Sequence, residues 1–362
     1  MKEKNYGVEL IRIVAMLMIL TLHCNLFSMK TVWSLETKNL FFTLTEFISI
    51  IAVNLYVFIS GFFLTSFRFD IRKLIKLELT VIFYSVLIYI ALALCGLIVF
   101  EKKVFLSLFF PLINSNYWFY TCYAVLFFLM PILKKVYLYL ARVGKIKVSL
   151  LILIIISSLI PTINPGNNQL LIGEGYSFFW FITLVLVGAY LKDHPVHLGN
   201  GSLIFIFLGT LTLQLSLYYI LSGIGDVPWV SRWHKFLYSY NNILVFSNSV
   251  VAFSLFTRWK ITSKNIAHII RFFSVSTFSV YLIHTHPFMM DSVLRELLDL
   301  SVYSGSIRLY LLYFLWIFGV FLACILIDKI RLFIFKLISQ IGFIKKMDKR
   351  LETLNTKIAV ED

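Results

Sequence analysis

The chain has 362 residues, 60% of them hydrophobic and 14% charged, with a formal net charge of +15. Soluble domains carry about 45–50% apolar and about 25% charged residues, so the composition excludes an ordinary soluble globule and points to an integral membrane protein. Basic loops on the cytoplasmic side account for the charge, and no nucleic-acid partner is expected.

Ten apolar runs are expected to cross the bilayer, at residues 8–27, 44–66, 74–99, 117–133, 148–163, 177–191, 201–222, 239–257, 272–290 and 307–335. A span needs about 20 mostly apolar residues. Lys and Arg gather between alternate runs: Lys2, Lys4 and Arg12; Arg68, Arg72, Lys73 and Lys76; Lys134, Lys135, Arg142, Lys145 and Lys147; Lys192; Arg258, Lys260, Lys264 and Arg271; and the tail from Lys329. The opposite loops carry fewer, namely Lys30, Lys38, Lys102, Lys103, Arg232, Lys235, Arg295 and Arg308. By the positive-inside rule both termini are then cytoplasmic. The expected fold class is therefore all-α, a polytopic integral membrane protein of about ten transmembrane helices in the cell membrane. A single transmembrane domain covers 1–340, and 341–362 form a short polar cytoplasmic tail.

The first run, Gly7 to Phe27, is too long and lacks the small-residue junction of a cleavable signal. It carries Arg12 and His23 eleven positions apart. At about 100° per residue the two return to within roughly 20° of one helix face, about 16 Å apart along the axis. An ionisable group inside a bilayer costs on the order of 2.5–3.5 kcal/mol, so each is expected to face protein or a wet cavity. Two readings of the pair stand: Arg12 snorkels to headgroups while His23 bonds a neighbouring helix, or the two line a site with a cation at one end and a proton acceptor at the other.

The second run contains AVNLYVFISGFFL, in which Asn54, Ser60 and Gly61 either permit close helix packing or border the same cavity. Arg68, Arg72, Lys73 and Lys76 follow it. They satisfy the topology rule, and they equally suit the phosphates of a nucleotide-like cofactor, Arg by bidentate contacts and Lys as a point charge. Tyr117 and Trp118 open the fourth run, as interfacial anchors or as stacking surfaces for sugar rings. Near the end, TFSVYLIHTHP places His284 thirteen residues beyond Arg271, a depth matching that of His23; His286 falls on another face. Two imidazoles at one depth suggest a shared cavity, with a structural histidine as the alternative. Cys24, Cys95, Cys122 and Cys324 show no ligand spacing and read as buried small apolar residues, so no metal is expected.

Taken in order, Arg12-x10-His23, AVNLYVFISGFFL, RKLIK and TFSVYLIHTHP resemble acyltransferase family 3, membrane proteins that O-acylate sugars of bacterial surface polysaccharides. The resemblance implies a ten-helix domain, acyl-CoA (acetyl-CoA foremost) as cytoplasmic co-substrate, and transfer to a hydroxyl of a polysaccharide or its lipid-linked precursor. It makes Arg12 and His23 the essential pair, with His284 as a further catalytic candidate. Arg12, Arg68, Arg72, Lys73 and Lys76 become cofactor-binding candidates, and Asn54, Ser60, Tyr117 and Trp118 substrate-binding candidates. Partners would be the carbohydrate acceptor, membrane lipids and a second copy of the chain. The sequence departs from the family pattern at Asn54, where many members have Asp, and at Lys76, often Arg. It shows no appended hydrolase-like domain, so the membrane domain or a partner is expected to complete transfer. The competing class is a polysaccharide exporter or polymerase without acyl chemistry, for which paired interrupted helices in two related halves would speak; no such symmetry is evident.

Overall fold

The computed structural model describes residues 5–28, 39–165, 173–225, 227–296, 299–303, 306–341 and 350–353. Lys30, Trp33 and Lys38, and most of the 341–362 tail, lie outside that set. Every regular element among the described residues is helical. Among the described residues eight helices are long and apolar enough to cross a membrane: Tyr6–Phe27, Leu40–Phe62, Ile71–Leu94, Trp118–Arg142, Ile146–Ile163, Asn200–Ile224, Lys264–His284 and Arg308–Ile338. The chain is thus an all-α, multi-pass membrane protein. The other two expected spans are the shorter helices Phe178–Asp193 and Ile243–Thr257, of 16 and 15 residues. At 1.5 Å per residue they reach only about 22–24 Å, less than the ~30 Å hydrocarbon core.

We label α1 (Tyr6–His23), α2 (Leu40–Ser49), α3 (Ala52–Phe62), α4 (Ile71–Leu94), α5 (Trp118–Arg142) and α6 (Phe178–Asp193). Further on come α7 (Ile243–Thr257), α8 (Lys264–Ser274), α9 (Thr277–His284) and α10 (Arg308–Ile338). Side chains supply the orphan N–H groups at several starts: Asn5 accepts from Val8, Asn39 from Phe41, Asp70 from Arg72 and Asn242 from Leu244.

The α2–α3 span lies at the centre, 78% of its apolar window being buried, whereas Asn200–Ile224 is only 22% buried and turns residues such as Phe205 outward. Such exposed apolar faces are what a lipid solvent permits. At the crossing of α3 and α6, a Cβ on Gly61 would lie 2.2 Å from the Val185 carbonyl oxygen, and one on Gly188 would lie 2.6 Å from that of Phe58. The two backbones therefore touch, and Gly61 serves packing.

Three details differ from the hydropathy reading. Lys264 and Arg271, expected in an inner loop, belong to the amphipathic helix α8, which runs into α9 through a break at Val275–Ser276. The second span is likewise broken, at Ile50–Ile51. Cys95, expected to be buried, is exposed beyond the end of α4. Hydropathy windows average over such breaks and over the polar face of an amphipathic helix, which explains the first two; Cys95 is exposed because the helix ends just before it.

Candidate active site

The α helix that carries Arg12 ends at His23 and continues as a π-helical turn, Cys24–Ser28, a distortion frequent at functional sites. The break before α9 lets that short helix bring His284 against it. His23 Nδ1 and His284 Nε2 are 2.8 Å apart, and His284 Nδ1 is 2.6 Å from the Val280 carbonyl oxygen. A carbonyl only accepts, so His284 Nδ1 carries a proton and donates it. In a neutral His284, Nε2 must then accept, which puts the proton of neutral His23 on Nδ1. The free lone pair of His23 therefore sits on Nε2. The expected common depth of the two histidines is realised as direct contact.

His284 is buried, while His23 is only partly so because it lines a cavity of about 60 Å³ with Tyr56, Trp118, Phe119, Tyr240 and Tyr281. Tyr56, Phe119 and Phe278 also wall a second cavity of about 290 Å³, which reaches Arg12 and Ser60. Arg12, Ser60 and Tyr123 continue into a third, of about 200 Å³, which ends at Lys73. Successive shared walls thus join Lys73, Arg12 and His23. The predicted common face of Arg12 and His23 is present, and the Tyr56 hydroxyl holds it from the side by donating to the Arg12 carbonyl oxygen at 2.7 Å.

The basic motif divides. Lys73 is exposed and lines the third cavity. Arg72 instead donates from Nε and Nη2 to the two carboxylate oxygens of Asp70, each at 3.0 Å, and approaches Glu352 of the tail at 3.6 Å. Arg68 and Lys76 are exposed, and like Arg72 they line none of the three cavities. Arg12 is itself paired with Glu9 at 2.8 Å.

Among the substrate candidates, Ser60 and Trp118 line cavities and Asn54 and Tyr117 do not. Asn54 is fully buried: its amide donates to Tyr240 O at 2.9 Å and Ser249 Oγ at 3.0 Å, and its Oδ1 accepts from Trp180 Nε1 at 3.0 Å. Every polar atom of that side chain is engaged in joining helices. Tyr117 is buried, accepting from Ser85 at 3.5 Å. Trp118 stacks on Tyr240 with ring centroids 5.9 Å apart and packs on Tyr176 at 4.7 Å, forming an aromatic border to the His23 cavity.

Sequence reasoning missed Tyr56, Tyr240, Tyr281 and the Glu9 partner. Tyr56 stood inside the AVNLYVFISGFFL segment, and Glu9 one helical turn before Arg12 was readable as an i,i+3 pair. Tyr240 carried no signal, since its run was read as helix and the structure begins α7 only at Ile243. Among the described residues no group of three or more His, Cys, Asp or Glu side chains is placed to hold a metal ion.

A family model described as an acyltransferase domain, that of acyltransferase family 3, matches residues 5–328. No curated protein matches the chain, and no solved structure does.

Proposed function

We propose, given that the chain belongs to acyltransferase family 3 and is a membrane acyltransferase, that it moves an acetyl group from acetyl-CoA to a hydroxyl of a surface polysaccharide or its lipid-linked precursor. One observation carries this reading: His23 Nε2 is left as the free base of the histidine pair, at the end of a cavity chain that begins at Lys73 and passes Arg12. The phosphates of the co-substrate would lie against Lys73 and Arg12, with the pantetheine arm following the cavities to His23. There Nε2 takes the proton of the acceptor hydroxyl as its oxygen bonds to the thioester carbonyl carbon. The C–S bond breaks, and the departing thiolate receives that proton from the imidazolium. Positive charge on His23 is shared through Nδ1–H donation to His284. Positioned proton transfer of this kind contributes about 10²–10⁴-fold.

The small volume beside His23 and the lack of a cation among its lining residues favour a short, uncharged acyl group over a dicarboxylic one. The Lys73 end is taken as cytoplasmic, where acyl-CoA is made. Lys134 and Lys192 anchor to Phe67 O and Thr65 Oγ1 at that same end, in keeping with positive-inside topology in the cell membrane and with both termini on the cytoplasmic side.

Two measurements test the proposal. Acetyl-CoA should raise the melting temperature of the purified protein by mass action. NMR of the host's surface glycan should lose an O-acetyl signal when the protein is removed, or when His23→Ala replaces it. Wild-type acetylation by a folded His23→Ala protein would rule out the base.

A further inference from the structure

The chain reaches the start of α6 through a short segment folded against two residues of the His23 cavity wall. Gly173, Glu174 and Gly175 have φ of 49°, 56° and 90°, three successive residues with positive φ. A non-glycine residue seldom adopts such a φ, and Glu174 is held in it from both ends. Its carbonyl oxygen accepts from the Tyr240 N–H at 3.2 Å, and its carboxylate meets Lys235 at 3.1 Å. Gly175 must be glycine, because a Cβ there would lie 2.7 Å from Tyr240 Cβ and 3.0 Å from the Asn241 nitrogen. The next residue, Tyr176, is thereby fixed against Trp118 and Tyr240, its ring centroid 4.7 and 4.9 Å from theirs. Those two rings line the His23 cavity, and Tyr176 stands 50% exposed beside them.

We infer that Tyr176 is the outer stacking residue of the acceptor subsite, carrying the apolar face of one pyranose ring whose hydroxyl is directed past Trp118 and Tyr240 to His23. A tyrosine that only anchors the bundle in the interface has no need of a close-packed glycine and a left-handed glutamate to fix its ring. A ligand platform does gain from it, since a rigid aromatic side chain gives contact area at little cost in ordering. The position suits an acceptor as well. Trp118 opens α5, and Lys134 lies sixteen residues on, about 24 Å at 1.5 Å per residue. Lys134 and Lys73 both stand at the donor end, where Phe67 meets each of them, one by hydrogen bond and one across the third cavity. The aromatic rim is therefore at the other end of the bundle, and donor and acceptor do not compete for one mouth. Glu174 and Lys235 neutralise each other beside it, so the rim selects a ring by its apolar face rather than by charge.

This assignment rests on the acyltransfer reading, and the test separates the two. Fluorescently labelled oligosaccharides, cleaved from the host's surface glycan and stripped of O-acetyl groups, are titrated into purified wild type, Tyr176→Ala, Tyr176→Phe and Trp229→Ala. The same proteins are assayed for transfer from acetyl-CoA. Tyr176→Ala should bind the oligosaccharide about tenfold more weakly, the loss of one covered aromatic face, and should raise the acceptor KM to match while kcat and the acetyl-CoA thermal shift hold. Tyr176→Phe keeps the ring and should behave as wild type. Trp229, 49% exposed on the helix that also carries Lys235 but lining none of the three cavities, is the anchor control and should bind as wild type. Unchanged oligosaccharide affinity in Tyr176→Ala would overturn the assignment, as would a wild type that binds none of these oligosaccharides. An equal loss in Trp229→Ala would reduce Tyr176 to a membrane anchor, and a lost acetyl-CoA shift in Tyr176→Ala would reduce it to a packing residue. A wild type that binds sugar through Tyr176 yet neither responds to acetyl-CoA nor restores an O-acetyl signal would leave the sugar site standing and sink the acyltransfer reading alone.

Discussion

Replacing His284 by Ala removes the one acceptor that fixes the proton of His23 on Nδ1. The perturbation is narrow, because His284 lines none of the three cavities and touches the reaction only through His23. Its geometry sets the expected size. A buried hydrogen bond whose loss leaves a donor unsatisfied is worth about 1–3 kcal/mol. At 1.36 kcal/mol per tenfold in rate, that is roughly a 5- to 150-fold fall in kcat for transfer. His23→Ala, which removes the base itself, should cost about 10²–10⁴-fold. The assay is turnover of radiolabelled acetyl-CoA by detergent-purified protein on isolated host glycan, with KM for acetyl-CoA measured in parallel. We expect kcat to fall and that KM to hold. His284→Gln, which still presents an acceptor oxygen, should fall between wild type and His284→Ala. A His284→Ala protein with unchanged kcat would refute the tautomer argument; a loss shared equally between kcat and acetyl-CoA binding would reduce His284 to a packing residue.

Further expectations concern the donor end and the frame. Arg12→Ala and Lys73→Ala should each weaken acetyl-CoA binding by about tenfold, the loss of one charge-assisted contact, while Arg72→Ala should leave it within about twofold because Asp70 already holds that guanidinium; isothermal titration decides, and an Arg72 effect as large as that of Lys73 would contradict the division of the basic motif. Gly61→Val drives a side chain into the Val185 carbonyl. Overpacking ordinarily costs about 1–3 kcal/mol, so a clear fall in melting temperature and in detergent-solubilised yield is expected, and an unchanged melt would show that α3 and α6 can separate without cost.

Much of the fold was legible because lipid imposes a simple rule: each crossing must be a closed run of backbone hydrogen bonds in an apolar wrapper. Residues 201–222 and 307–335 obey it and coincide with Asn200–Ile224 and Arg308–Ile338. The rule loses information where protein rather than lipid is the neighbour. Phe178–Asp193 and Ile243–Thr257 can be short because neighbouring helices pack on them, and α8 can carry Lys264 and Arg271 because one of its faces is polar. For the site, Arg12 and His23 were readable from spacing along one helix, and His284 from depth. The sorting of Arg72 from Lys73, or of Asn54 from Ser60, was not. Those pairs differ in which tertiary neighbour each meets, and Asp70, Trp180 and Ser249 announce themselves only once the helices are assembled.

The backbone interruptions and the unmatched polar groups belong to one design. A helix that passes unbroken through lipid satisfies its own carbonyls and presents side chains at fixed intervals, so it cannot bring two imidazoles nitrogen to nitrogen by spacing alone. The π turn after His23 and the break at Val275–Ser276 give up that regularity at the level where the histidines meet. Irregular backbone at membrane depth is tolerated only when buried in protein or lining a wet cavity, and the second cavity includes Ser274, Val275 and Thr277 at that break. By contrast, the Asp328–Arg331 pair sits within the uninterrupted helix α10, matched in charge and held by Tyr84. At Asn54, where polar groups serve only to join parts of the bundle, each finds its partner. The free Nε2 of His23 departs from that pattern, and it stands at the aromatic border formed by Trp118 and Tyr240. Unspent hydrogen-bonding capacity at that nitrogen is what the proposed acceptor hydroxyl would complete.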